Sequence, residues 1–268
     1  MAVFGIDVGG SGIKGARVDV VRGRLSGERI RLDTPRPATP EAVVQTVADL
    51  VQRARWRGPV GCTFPGIVKR GVVHSANNVD RAWLGVDADR VLTERLGQPV
   101  TVLNDADAAG LAEATFGAGR NHKGVLVMLT FGTGIGSALL VNGRLVANSE
   151  LGQLEIRGKR AELRAADRVR LKKDLSWKKW AARVEELLQH IEYLLSPDLF
   201  IIGGGVSKKA DRFLPLLSTH APVVPAALLN DAGIVGAALA RERERMSTGQ
   251  QRTRRSRARR PVHGSAKS

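Results

Sequence analysis

FGIDVGGSGIKGARV (residues 4–18) and VMLTFGTGIGSALLV (residues 127–141) carry one pattern twice. Each runs from an apolar stretch through a glycine-rich turn into a second apolar stretch. They align without a gap at an offset of 123 residues, Gly9 against Gly132 and Asp7 against Thr130. A short apolar run bounded by glycines is a buried strand by length and flanks, so each copy predicts strand, turn, strand. Glycine turns between strands are common, and the match alone also fits two unrelated hairpins. The elements around the two copies decide between these readings.

Working outward from the first copy, residues 2–8, 12–20 and 29–34 predict three strands. Thr39 then caps a helix that has Pro40 in its first position. Val43, Val44, Val47, Leu50, Val51 and Ala54 recur at helical spacing, and residues 59–63 return to strand. Residues 99–105 form another buried strand leading into an alanine-rich helix. Around the second copy the order is similar. Residues 124–131 are a strand, Ser176 caps a helix with Trp180, Val184, Leu187, Leu188, Ile191, Leu194 and Leu195 on one face, and Pro197 ends it. Residues 198–205 are a strand, and a last helix covers roughly 234–245. This is an α/β order. Two βββαβα units facing each other predict two lobes with a cleft between them. The expected division is residues 1–106 with a returning helix at 232–246, then residues 107–231, then a tail at 247–268.

Composition narrows the function classes. The 268 residues are 43% hydrophobic, enough for a core, and aromatics at 4% leave Val, Leu, Ile and Ala to build it. No run of 18 apolar residues is present and no signal peptide opens the chain. Cys62 is the single cysteine, which excludes an internal disulfide and a cysteine-rich zinc site. These features predict a cytoplasmic protein. The formal net charge is +16, and the stretch from Thr248 onward holds six Arg, one Lys and no acid, leaving +9 on the rest. That stretch has too little apolar content to offset its ordering entropy and reads as a disordered tail. Non-specific contact with a polyanion and a merely solvated terminus are equally open for it.

Four motifs carry chemistry. In DVGGSGIKG (residues 7–15), Asp7 ends a strand, Gly9, Gly10, Ser11 and Gly12 make a turn nearly free of side chains, and Lys14 follows. Backbone N–H groups of such a turn can approach phosphate oxygens, and Asp7 can hold magnesium through water. The plain alternative is a hairpin that needs glycine for its conformation. Gly132, Thr133 and Gly134 in GTGIG repeat the capacity. In NDADAAG (residues 104–110), Asp105 stands at the carboxyl end of a buried strand, where ligands gather in α/β sheets. There a carboxylate can accept the proton of an attacking hydroxyl. Asn104 can bond neighbouring hydroxyls, and either residue could instead only cap the next helix. Gly203, Gly204 and Gly205 follow a very apolar strand, with spacing that is not a dinucleotide fingerprint.

Taken in order, residues 7–14, 104–105, 132–136, 203–205 and AGIVGAAL (232–239) resemble the five motifs of the hexokinase–actin–Hsp70 superfamily. The resemblance covers nearly all of residues 2–245 and implies two RNase H-like lobes. Within the superfamily the chain resembles the ROK family of sugar kinases, and within that family the polyphosphate glucokinase branch. SANNVDRAWLG, LNDADAAGLAEA, KKDLSWKKWA and SPDLFIIGGGVSKKAD carry that likeness. The resemblance implies phosphoryl transfer from inorganic polyphosphate, and from ATP, to the 6-hydroxyl of glucose, with magnesium and in a homodimer.

It also implies site roles. Asp105 would be the general base, and Asn78, Asn104, Glu150 and Glu162 would be sugar ligands, with Glu155 a weaker candidate. Lys208 would join the phosphate-binding set. Gln153, in SELGQLEIRG, stands where the family usually has histidine, which bears on sugar affinity and epimer choice. The zinc-binding cysteine loop of many relatives is absent. For a polyanionic donor the expected basic track is Lys14, Arg168, Lys172, Lys173, Lys208 and Lys209, although a charged run such as 157–179 is also what a solvated helix face looks like. An ATP-dependent hexokinase for glucose, mannose or another hexose is the alternative, followed by a sugar sensor without catalysis. A ROK repressor would need a DNA-reading helix-turn-helix ahead of a fold that begins at Ala2.

Overall fold

The computed structural model describes residues 1–76 and 79–258, with side chains to residue 248. Two mixed sheets organise it. The first is built by β1 (Ala2–Val8), β2 (Ile13–Asp19), β3 (Arg24–Leu25), β4 (Ile30–Leu32), then, beyond helix α1 (Pro40–Arg53), β5 (Val60–Phe64). A small hairpin, β6 (Val68–Lys69) with β7 (Val72–Val73), and helix α2 (Ala88–Leu96) precede β8 (Val100–Asn104), which completes the sheet in the order β3-β2-β1-β5-β8 with β4 also on β2. Helix α3 (Asp105–Phe116) leads out of β8 without a loop.

The second sheet begins with β9 (Val125–Phe131), β10 (Ile135–Val141) and β11 (Arg144–Val146). A two-stranded hairpin follows, β12 (Glu155–Ile156) with β13 (Lys159–Arg160), then short helices α4 (Glu162–Ala165) and α5 (Asp167–Lys172) and the long α6 (Trp177–Leu195). Strands β14 (Leu199–Gly203) and β15 (Val223–Pro225) close the order β11-β10-β9-β14-β15, and α7 (Ala232–Ala258) ends the described chain.

Local chemistry accounts for these elements. Thr39 accepts from the Ala42 N–H at the start of α1, and Ser176 accepts from Lys179 at the start of α6, as cap residues do. The buried face of α6 (Trp180, Val184, Leu187, Leu188, Ile191) packs with Val127, Leu129, Phe131, Phe200 and Ile202 of the second sheet. Val43, Val47, Leu50 and Val51 of α1 pack with Phe4, Ile6, Val8, Val60 and Cys62 of the first. Helix α7 returns to the first sheet, its Ile234, Val235 and Ala238 against Val3, Ala16 and Val18. Only glycine admits that approach: a Cβ at Gly61 would collide with the Ala237 carbonyl, and one at Gly236 with the Ala108 carbonyl.

Three expectations change. The two copies of the opening pattern do not stay in step. β1 and β2 close at Val8 opposite Ile13 around four residues, whereas β9 and β10 close at Phe131 opposite Ile135 around three. The offset of 123 therefore holds for the first strand of each pair and falls to 122 for the second. The counterpart of Lys14, which faces Asp7 across the first hairpin, is Gly136, which faces Thr130. The last helix also runs well past 245 and continues through the start of the supposed tail to Ala258. Arg, Gln and Ala are good helix formers, and extending an existing helix carries no nucleation penalty. Residues 259–268 lie outside the described residues, as does Asn78. Third, β3 was not legible, since its two residues carry no alternation.

Candidate active site

The carboxyl ends of β1 and β8, the amino end of α7 and the glycine stretch after β14 meet in a cleft of about 200 Å³. Asp7, Lys14, Asp105, Thr130, Gly203, Gly204, Gly205, Asn230 and Gly233 are among its lining residues, so motifs spread over more than 200 positions converge there.

Asp7 is held from two sides. Thr63 Oγ1 donates to its Oδ1 at 3.1 Å while accepting the Val8 N–H, and Lys14 Nζ stands 3.7 Å from its Oδ2. Gly233 lets α7 start against this carboxylate, since a Cβ there would lie 3.0 Å from Asp7 Oδ1. The Gly9–Gly12 turn is closed by the Gly9 N–H on the Gly12 carbonyl at 3.1 Å. It is steadied by Thr34, which donates to Gly9, and Arg31, which donates to Ser11. Thr63, Thr34 and Arg31 carried no signal in the sequence, since their partners are backbone or come from other strands.

Three glycines of the motifs are not required by the protein itself. A Cβ on Gly10, Gly132 or Gly205 would meet nothing within 4 Å, and none of the three has a positive φ. Their bare backbone faces open space, which suits close approach by a ligand. Gly204 differs: its φ is +81° and a side chain would run into Phe131.

Asp105 opens α3 and accepts the Ala106 N–H at 2.8 Å. Burial pushes its carboxyl up to about 7, helped by the charges of Asp7 and Glu150 and opposed by that hydrogen bond. Asn104 is nearly buried with both ends of its amide engaged. Oδ1 accepts the Asp107 N–H at 3.0 Å and Nδ2 donates to the Gly66 carbonyl at 3.1 Å. It caps α3 and ties β8 to the loop after β5. Asp107, which the sequence reading passed over, is buried, and its carboxyl too is pushed up to about 7 by burial and by the charges of Glu150 and Asp105.

The remaining predicted residues lie on the segment between β11 and α4. Glu150 is raised above the usual carboxylate range by burial and by the charge of Glu162. Glu162 reaches toward the second glycine turn, where a Cβ on Gly134 would stand 2.7 Å from its Oε2. That turn is closed by the Gly132 N–H on Gly134 at 3.0 Å and takes the Arg168 N–H on its Gly132 carbonyl at 3.1 Å. Gln153 accepts from Arg160. Glu155 is exposed and pairs opposite Arg160 across the β12–β13 hairpin. Asp105, Glu150 and Glu162 thus form one electrostatic chain, with Gln153 joined to it through Arg160. Thr133 stays on the turn and Lys208 is exposed on the 3-10 stretch Gly205–Arg212.

No group of three or more His, Cys, Asp or Glu side chains suited to a metal occurs among the described residues. Asp7 on the cleft nevertheless fits magnesium, which uses one or two carboxylates plus water and substrate phosphates. Cys62 is buried with its thiol pushed up by burial, and no described helix is long and apolar enough to cross a membrane.

A two-sheet α/β fold with two glycine-turn hairpins and a strand-end aspartate in its cleft places the chain among the actin-like sugar kinases. The ROK family profile matches residues 3–154, and the chain belongs to the ROK family. It is 58% identical over 238 residues to the polyphosphate glucokinase of Mycobacterium tuberculosis, covering 88% of this chain and 90% of that one. Among solved structures it is similar to the inorganic polyphosphate/ATP-glucomannokinase of Arthrobacter sp. strain KM, with a TM-score of 0.87 and 52% identity over 91% of this chain and 99% of that one. A ROK family glucokinase from Streptomyces griseus, in complex with glucose and AMPPNP, matches with a TM-score of 0.80 and 25% identity, over 91% and 100% of the two chains.

Proposed function

We propose that the protein is a glucokinase that transfers a phosphoryl group from inorganic polyphosphate, and from ATP, to the 6-hydroxyl of glucose. The observation that carries the chemistry is Asp105, a carboxylate that lines one cleft with Asp7, Lys14 and the glycines after β14 and is pushed up to about 7. A base whose pKa lies near the working pH is basic enough to take up a proton while a large share of it stays ionised. Asp105 accepts the proton of the sugar hydroxyl as its oxygen attacks the terminal phosphorus, and the bond from that phosphorus to the donor oxygen breaks. The backbone N–H groups of the two turns and Lys14 stabilise the charge on the transferred group. Asp7 is the residue that would hold magnesium, through water, whose chemistry there is neutralisation of the donor phosphates.

The acceptor side falls to Asn104, Glu150, Gln153, Glu155 and Glu162, with Asn78. Carboxylates accept and amides both donate and accept, which matches a ring of hydroxyls. On the donor side, α5 touches the second glycine turn through the Arg168 N–H on the Gly132 carbonyl, and the Gly205–Arg212 stretch follows the glycines after β14. They are clamped by Arg170 stacked 4.1 Å over Trp177 and by Trp177 stacked on Phe213. Arg168, Lys172, Lys173, Lys208 and Lys209 on these two pieces have no ion-pair partner among the described residues. Free cations beside a phosphate site suit a long polyanion. The likeness to polyphosphate-using relatives supports the same donor.

A homodimer and a cytoplasmic location belong to this reading by resemblance. The exposed Tyr193 and Leu194 of α6 are surface that a second copy could cover. The test is sugar-phosphate formation by purified protein with magnesium, glucose or mannose, and either polyphosphate or ATP. Product with polyphosphate and glucose is expected, and product with ATP alone would remove the polyphosphate donor from the proposal.

A further inference from the structure

The β12–β13 hairpin turns on Arg157 and Gly158, with φ of 52° and 71°. Two successive positive φ values define the tight two-residue turn that fixes hairpin register. That register sets Arg160 directly opposite Glu155. From this position Arg160 Nη1 donates to Gln153 Oε1 at 2.9 Å and stands 3.2 Å from Glu162 Oε1. A guanidinium has five donors and no acceptor. Only the carbonyl oxygen of the Gln153 amide can face it, so the NH2 group is turned away from Arg160. That NH2 has no protein partner among the described residues.

The neighbouring side chains give this orientation a use. Glu150, Glu155 and Glu162 are acceptors only when ionised. A sugar hydroxyl oxygen that needs a donor on this side finds one in Gln153 only if the amide is held in this sense. An amide without a fixed partner presents its oxygen and its nitrogen about equally. The same guanidinium sets a positive charge against Glu162, which lies in a line of carboxylates running through Glu150 to Asp105.

We propose that Arg160 is a positioning residue for the acceptor sugar. It locks the Gln153 amide as a hydrogen-bond donor and offsets the charge of Glu162, and so sets hexose affinity rather than the rate of transfer. The inference rests on the reading of Glu150, Gln153 and Glu162 as sugar ligands. It makes Gln153 and Arg160 one unit: where histidine stands in the family, the ring carries its own N–H and needs no arginine to orient an amide.

The test compares wild type, Arg160→Ala, Arg160→Lys, Gln153→His and the Gln153→His/Arg160→Ala double variant. Glucose turnover at saturating donor and glucose binding by calorimetry are the readouts. Arg160→Ala is expected to raise KM and weaken glucose binding ~10-fold, the size of one charge-assisted hydrogen bond, with kcat changed less than about twofold. Arg160→Lys recovers part of the loss, because a compact ammonium reaches one partner and not both. In the Gln153→His background, loss of Arg160 changes KM by less than about threefold. Unchanged glucose binding in folded Arg160→Ala overturns the proposal. So does an equal loss in the glutamine and histidine backgrounds, which would show that Arg160 acts by another route. A wild type inactive with every hexose and donor would sink the kinase reading instead, and the calorimetric comparison would still decide the role of Arg160.

Discussion

Asn148 donates its backbone N–H to Asp107 Oδ2 at 2.7 Å, and its side-chain amide exchanges two hydrogen bonds with the Val68 backbone, at 3.0 and 2.9 Å. Asp107 at the start of α3 and Asn148 thereby fasten the segment that carries Glu150, two residues on, to α3 and to the small β6–β7 hairpin. Asn148 itself has a φ of +60°, a conformation asparagine tolerates better than most residues. Asp107→Leu should release this segment, raising KM for glucose by ~10-fold with a smaller change in kcat. Asp107→Asn keeps an acceptor for the Asn148 N–H and should stay within about threefold of wild type.

The same carboxylate makes stability depend on pH. Asp107 and Asp105 are pushed up from 3.8 to about 7 in the folded protein. Folding then binds protons between those values, so stability is full below about pH 4 and falls as pH rises through about 7. Asp107→Asn removes one of these groups. It should flatten the decline and raise the melting temperature at pH 8 by at least ~2 °C. Thermal denaturation of both proteins between pH 5 and 8 reads this directly, and parallel curves would show that Asp107 is charged at no cost.

Asp105→Ala should lower kcat by at least ~100-fold, the low end for a positioned base. In the wild type, kcat/KM should rise with pH and level off above about 7, as the Asp105 carboxylate becomes free to accept a proton. Glu150→Gln removes a negative neighbour and should shift that limb to lower pH. A pH–rate profile of the two enzymes checks the direction, and an unmoved limb would separate it from Asp105.

Lys172→Glu combined with Lys208→Glu should raise KM for long-chain polyphosphate by ~10-fold or more, with a steep dependence on salt. KM for glucose should stay within about twofold, since neither lysine neighbours the acceptor segment. Initial rates over a series of ionic strengths make the comparison.

Gly236→Ala tests the frame rather than the site. Alanine is the better helix former by about 1 kcal/mol, yet here its methyl would meet the Ala108 carbonyl where α7 crosses α3. Overpacking should prevail and destabilise the protein by ~2 kcal/mol or more. Urea denaturation gives the sign.

Much of the fold was legible because its central strands are largely buried and α1 and α6 are capped. AVFGIDV, VTVLN and LFIIG are apolar runs that end where the site begins, and Thr39 and Ser176 cap as their side chains predict. The glycine turns and Asp105 could be found because a backbone approached by a ligand and a carboxylate at a strand end leave marks in one short stretch. Arg160, Thr63 and Asn148 left none. Each acts on a partner that only tertiary folding brings near: Arg160 through a hairpin register, Thr63 through parallel pairing, Asn148 by bonding a hairpin 80 residues away. The length of α7 was misread for a related reason. Composition describes what a segment would do alone, and this one grows from a helix already packed on the first sheet.

The one-residue difference between the two glycine turns has a consequence for direction. Two hairpins of one pattern, if identical, would offer a linear chain of identical units two equivalent directions. The longer turn carries Lys14 opposite Asp7, and at the matching place the shorter one has Gly136 opposite Thr130. The tie is broken by one charged pair present on a single side. The two hairpins share one pattern, and the ion pair held by one of them alone makes the two turns chemically unlike.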